Sequence, residues 1–140
     1  LVYGQQTGNA GQVAGSNYND LEESAYSAKI TYGNFSMDYR KNEADNSGQI
    51  KNNNAGNDEG VSICGIYTLI ITRIGFCNVN TNFTDINNFT NSSKLISNSI
   101  DYALSDNLKI GLLYFKHKEI ANGAIRTDAK GVMSSLTIDF

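Results

Sequence analysis

The segment Gly131–Phe140, which reads GVMSSLTIDF, carries the strongest structural signal in the sequence. The even-numbered positions of this segment are occupied by Val132, Ser134, Leu136, Ile138 and Phe140, and the odd-numbered positions between them by Met133, Ser135, Thr137 and Asp139. Alternation with a period of two is the pattern of a β-strand that has one apolar face. The segment therefore predicts a strand that continues to a final aromatic residue.

Two pairs of neighbouring segments carry the same alternation, and each pair matches in register. A two-residue turn at Gly33-Asn34 aligns Tyr32 with Phe35, and apolar residues then face each other at every second position. A second turn, of three residues, aligns Leu104 with Leu108 in the same way. Alternating runs joined by short turns predict antiparallel hairpins.

The middle of the chain is more ambiguous. The stretch 61–79 has a single charged residue, Arg73, and hydropathy alone would allow a membrane helix there. Its β-branched residues, its two glycines and the arginine all disfavour a lone helix. We predict a hairpin instead, with its turn near Leu69 to Ile71.

The predicted connections alternate in length along the chain. Short turns fall at 33–34, 69–71 and 105–107, and long polar loops fall at 4–23, 41–59, 79–97 and 116–129. Tight turns at one end of a sheet and long loops at the other are typical of a transmembrane β-barrel. Composition agrees with an all-β fold, because the chain has 19 Asn, 13 Gly and 8 Tyr but no Pro.

The closing segment resembles the last strand of Gram-negative general outer-membrane porins, which ends in Phe after alternating apolar residues. Val132, Leu136, Ile138 and Phe140 carry this match and correspond to the insertion signal that the outer-membrane assembly machinery reads. The similarity covers 97–140 and extends to 24–40. It implies an all-β, antiparallel up-and-down transmembrane β-barrel. Residues 1–140 would be a single C-terminal fragment, with seven to eight of about 16 strands and no second domain.

The resemblance also implies a function and a location. The chain would form part of a water-filled channel in the cell outer membrane for passive diffusion of ions and small hydrophilic solutes, without cofactor or catalytic residues. Implied partners are outer-membrane lipid and lipopolysaccharide, the assembly machinery and further copies in a homotrimer. A net charge of −3 gives no basic footprint for nucleic acid. The alternative is a secreted β-sandwich or adhesin-like module that binds through its long Asn-rich loops.

The candidate pore-lining residues are the charged residues at strand positions that alternate with the apolar ones. They are Lys29, Asp38, Arg40, Arg73, Asp101, Lys109 and Asp139. Charges that line a pore set its ion selectivity through their field at close range. The simpler interpretation is that each of them only solvates a water-facing surface.

Cys64 and Cys77 face each other if Leu69 opposes Thr72. Because outer membranes face an oxidising compartment, a cross-strand disulfide is one interpretation. Two free thiols are the preferred one, and no further ligands at metal spacing accompany them. His117 is predicted to be a solvated loop residue, and an enzyme is set aside because the sequence indicates no Ser–His constellation.

Overall fold

The structure is a computed structural model that describes residues 2–8, 12–13, 16–17, 21–44, 58–84 and 90–138. The described elements are all strands: β1 (Val2–Gly8), β2 (Gln12–Val13), β3 (Ser16–Asn17), β4 (Leu21–Tyr32), β5 (Phe35–Ala44), β6 (Asp58–Thr68), β7 (Thr72–Thr84), β8 (Thr90–Ser105), β9 (Leu108–Ala121) and β10 (Ala124–Ile138). Within these residues, no helix has the length and hydropathy needed to cross a membrane. The stretch 61–79 forms β6 and β7, so the predicted hairpin is confirmed.

Eight of the strands form one antiparallel sheet in the order β1-β4-β5-β6-β7-β8-β9-β10. The seven strands β4 to β10 follow one another up and down, and β1 joins by pairing with β4. Each described strand contacts only its ladder neighbours, and β2 pairs with β3 apart from the large sheet. The predicted all-β, up-and-down arrangement is confirmed as an open sheet whose edges are β1 and β10.

The registers of two predicted hairpins are confirmed. Tyr32 pairs with Phe35 across the first turn, and Gly33 has φ 53°, a value that glycine adopts without steric cost. Cys64 pairs with Cys77 across the middle hairpin. In both hairpins the turn position fixes the register of every residue that follows.

The third hairpin differs from its prediction by one residue at the turn. Leu108 pairs with Ser105 rather than with Leu104, because a bulge lies between Ala103 and Ser105. The turn therefore contains two residues, Asp106-Asn107, instead of three. A bulge adds one residue to one strand only, so the ladder beyond it keeps the predicted register.

The predicted loop at 116–129 is wrong, because β9 and β10 continue through it to a tight turn at Asn122-Gly123. Asn122 and Gly123 have φ of 52° and 73°, as in the type I′ turn that Asn-Gly favours. Strands also extend into the other predicted loops, as far as Ala44 and Thr84. The remaining parts of those two connections, 45–57 and 85–89, lie outside the described residues.

We expect Gly123→Val to lower the free energy of unfolding by about 1–2 kcal/mol, because a β-branched side chain opposes a left-handed backbone. Urea unfolding, followed by circular dichroism, measures the change. The matched control is Asn107→Val, at a turn position whose φ is not positive. Equal losses in the two variants would contradict the assigned turn geometry.

Backbone hydrogen bonds explain how an apolar segment can serve as the middle turn. The Leu69 N–H donates to the Thr72 carbonyl at 2.7 Å and closes the turn. The Thr68 N–H donates to the Asn34 carbonyl at 2.9 Å, and the Ala103 N–H donates to the Ile71 carbonyl at 2.8 Å. The turn is thus tied to the hairpins on both sides, and its geometry does not depend on turn-forming side chains.

The two faces of the sheet differ in chemistry. We call one the apolar face; its exposed large side chains include Tyr26, Ile30, Tyr32, Ile63, Tyr67, Ile74, Phe76, Ile100, Tyr102, Ile110, Leu112, Tyr114, Val132, Leu136 and Ile138. The opposite polar face carries Lys29, Asp38, Arg40, Arg73, Asp101 and Lys109. The apolar residues form a band that begins at the short turns, and we call this the apolar band. Beyond it the same face becomes charged, at Lys41, Glu59 and Lys94 among others.

Candidate functional site

The first charged cluster on the polar face lies on β4 and β5. Lys29 and Asp38 occupy directly opposite positions, and Arg40 Nε donates to Asp38 Oδ1 at 2.6 Å. This ion pair is open to water, since the Arg40 side chain is 70% exposed. A cavity of about 480 Å³ on the polar face is lined by all three residues and by Ser62. The cluster therefore presents charge of both signs to a solvent-accessible depression.

The second charged cluster lies near the short turns, on β7, β8 and β9. Arg73 and Asp101 are directly opposite each other. Lys109 is opposite Ala103, which is the next residue after Asp101 on the same face of β8. A cavity of about 430 Å³ is lined by these three charged residues and bounded by the turn 69–71. Two cations and one carboxylate thus surround one depression on the polar face.

A glycine makes room for the carboxylate of the second cluster. Gly111 lies between Asp101 on β8 and Ser135 on β10. A Cβ atom at Gly111 would lie 2.6 Å from Asp101 Oδ1 and 2.6 Å from Ser135 Oγ, closer than real side chains approach. Glycine at this position lets the Asp101 carboxylate lie over the backbone of β9.

A disulfide joins Cys64 to Cys77 on the polar face, between the two clusters. The predicted alignment of the two cysteines is confirmed, and the preference for two free thiols is wrong. Their Cα atoms lie 4.1 Å apart at directly opposite positions of β6 and β7. That close approach, which the register alone imposes, brings the two sulfur atoms together.

We expect the unreduced chain, unfolded in urea, to gain no mass on treatment with iodoacetamide. After reduction it should gain two carbamidomethyl groups, because both cysteines are held in the bond. Intact-mass spectrometry measures the difference, and the variant Cys64→Ser serves as control because its remaining thiol should react without reductant. Two adducts on the unreduced chain would contradict the disulfide.

His117 is part of β9 rather than of a loop, and its prediction as a solvated loop residue is wrong. It is half-buried, and its Nε2 atom lies 3.0 Å from Ser93 Oγ on β8. Sequence reasoning missed this hydrogen bond, because 24 positions separate the residues and no motif links them. It is a cross-strand contact on the polar face, between β8 and β9.

The other candidate residues divide between the faces as their parity predicts. All of the described pore-lining candidates lie on the polar face, and Asp139 and Phe140 lie outside the described residues. The remaining members of the closing motif lie on the apolar face, where Val132, Leu136 and Ile138 are 69%, 63% and 51% exposed. Their role as an insertion signal stays a prediction.

No protein-family model, curated protein or solved structure matches this chain. The geometry itself defines an all-β class: one antiparallel, up-and-down sheet with one apolar and one charged face. This sheet is compatible with a fragment of a β-barrel.

Proposed function

We propose that the chain forms part of the wall of a water-filled outer-membrane channel, through which ions and small hydrophilic solutes diffuse passively. The observation that carries the proposal is the single-layer sheet with an exposed apolar face opposite a charged one. A barrel in lipid turns its apolar side chains outward and encloses a polar lumen.

The exposed apolar face supports lipid as its partner. In a β-sandwich, the apolar faces of two sheets pack against each other about 10 Å apart. Here the strands of the large sheet contact only their ladder neighbours, and no second layer covers the apolar face within the part of the chain that the structure describes. A contiguous apolar surface of this extent, when exposed, marks an interaction site. The hydrocarbon of a membrane is the partner that can cover the whole face of a sheet.

Tyrosines at both limits of the apolar band add to this support. Tyr32, Tyr67 and Tyr102 lie near the short turns, and Tyr26 and Tyr114 lie toward the opposite limit. Aromatic side chains flank the apolar zone of membrane barrels because an amphipathic ring suits the boundary between hydrocarbon and water. The two groups of tyrosines would mark the two boundaries of the membrane.

Selectivity in such a channel follows from pore diameter and from the charges on the polar face. The clusters around Asp38 and Asp101 would face the lumen and bias the passage of ions. The edges β1 and β10 need partners, because unpaired backbone groups are not tolerated in hydrocarbon. Further strands, from the same polypeptide or another, would complete the barrel, and we propose a homotrimer as the assembled form.

Detergent dependence and conductance together test the proposal. The refolded chain should remain dispersed only with detergent and should migrate differently in gels with and without heating. Together with the strands that complete the barrel, it should produce discrete current steps in planar bilayers. A heat-denatured sample at equal concentration is the control. A chain that stays monodisperse and folded without detergent would contradict the proposal and favour a secreted binding module.

A further inference from the structure

Four lysines form a basic patch on the apolar face, just beyond the apolar band. This lysine patch consists of Lys94 on β8, Lys116 and Lys118 on β9, and Lys130 on β10. Lys116 is two residues from Tyr114, and Lys130 is two residues from Val132, so both share a face with the band. The patch concentrates positive charge in a chain whose net charge is −3.

The ladder places these lysines directly opposite one another. Lys94 pairs with Lys118, and Lys116 pairs with Lys130. Like charges at directly opposite positions destabilise a sheet, because their Cβ atoms are only about 5 Å apart. One carboxylate, Asp128, occupies the position opposite Lys118. Four ammonium groups against one carboxylate leave the patch with an excess of positive charge.

Another lysine on the same face provides a contrast. Lys41 on β5 forms ion pairs with Glu43 and, at 3.5 Å, with Glu59. None of the four patch lysines forms an ion pair with another residue of the described ranges, and all except half-buried Lys118 are exposed. The sheet thus neutralises Lys41 internally and leaves the charge of the patch for an external anion.

We infer that the lysine patch binds the phosphate group of an anionic lipid headgroup. This inference rests on the proposed function, in which the apolar face meets lipid. Ammonium groups are strong donors to phosphate oxygens, and basic clusters at a membrane boundary attract anionic headgroups. The apolar band ends within two residues of the patch, so a lipid held by its phosphate can lay its acyl chains along Val132 and Leu112. This continuity favours a lipid over free phosphate.

Native mass spectrometry of the full chain in detergent micelles tests the inference. The chain is titrated with phosphatidic acid and, separately, with phosphatidylcholine that has the same acyl chains. We expect phosphatidic acid to bind more tightly, and K94Q/K118Q and K116Q/K130Q each to weaken it roughly 10- to 30-fold, because each lysine near an anionic headgroup adds a several-fold factor. The matched control K41Q, on the same face, should leave the affinity unchanged.

Three results would overturn the inference, and each has a different meaning. Equal affinity for both lipids, or equal affinity in wild type and both double variants, would exclude the lipid site. The proposal that the sheet forms part of a membrane channel would be unaffected. Lysine-dependent binding of inorganic phosphate alone, at the affinity of phosphatidic acid, would identify free phosphate as the ligand. A chain that binds neither lipid and is soluble without detergent would overturn the channel proposal as well.

Discussion

Leu112→Arg is expected to destabilise the membrane-inserted chain by about 2–4 kcal/mol, the range found for arginine on the lipid face near the bilayer midplane. Leu112 lies within the apolar band on β9, between Ile100 and Ser134 in the ladder, and is 53% exposed. In the proposed orientation its side chain meets hydrocarbon, where a guanidinium loses its hydration without gaining a partner. Urea unfolding from phosphatidylcholine vesicles measures the loss.

The adjacent residue supplies a matched control. Leu113 lies on the polar face, opposite Ser99 and Met133. Leu113→Arg introduces the same side chain into the same strand, but toward water, and should cost less than about 1 kcal/mol in the manner of lumen substitutions. A larger loss at Leu113 than at Leu112 would reverse the assignment of the two faces and contradict a lipid-facing apolar band.

Replacing Arg73 and Lys109 together by glutamate is expected to make the channel more selective for cations. The double variant turns the second charged cluster from mainly positive to wholly negative, because Asp101 stays in place. Near 0.1 M salt the Debye length is about 10 Å, so charges that line one depression still act on an ion passing it. We expect the permeability ratio of potassium to chloride to rise by roughly three- to tenfold, measured as a reversal potential across a salt gradient.

The control for this variant adds negative charge on the opposite face. Lys41→Glu alters a lysine of the apolar face outside the lysine patch and should leave the reversal potential unchanged. An equal shift per unit of charge in both variants would show that selectivity follows the total charge of the chain. In that case the polar-face cluster would not line the pore.

Much of the sheet could be predicted from the sequence because register depends on turn position and on alternation. Once Gly33-Asn34 is placed at a turn, the pairing of Tyr32 with Phe35 fixes every later pair in β4 and β5. The same logic placed Cys64 opposite Cys77 without any knowledge of their redox state. Alternation also sorted the described pore-lining candidates onto the polar face.

The predicted loop at 116–129 failed for a physical reason. The period-two signal requires one face to be apolar, but a β-ladder is made by backbone hydrogen bonds and continues where both faces are polar. Around His117 neither face has a consistent apolar pattern, although β9 extends to Ala121. The Asn122-Gly123 turn was the local signal that could have extended the hairpin.

Contacts between distant segments were beyond the reach of the pattern. The hydrogen bond between Ser93 and His117 joins β8 to β9 along a ladder that keeps the predicted register at this point. Register places a residue opposite its ladder partner, here Glu119 for Ser93, and does not specify which diagonal neighbour its side chain bonds. The bulge after Ala103 was missed as well, since Leu104 fits the alternation as well as its neighbours do.

The hydrogen bonds at the middle turn have a consequence for how this chain can vary. Because the Thr68 and Ala103 amides tie the segment 69–71 to both neighbouring hairpins, a changed number of residues there would disturb three hairpins at once. The side chains take no part in these bonds, and Ile70 is fully exposed. Selection should therefore conserve the length of this turn more strictly than its composition, and an epitope tag inserted there would be tolerated poorly.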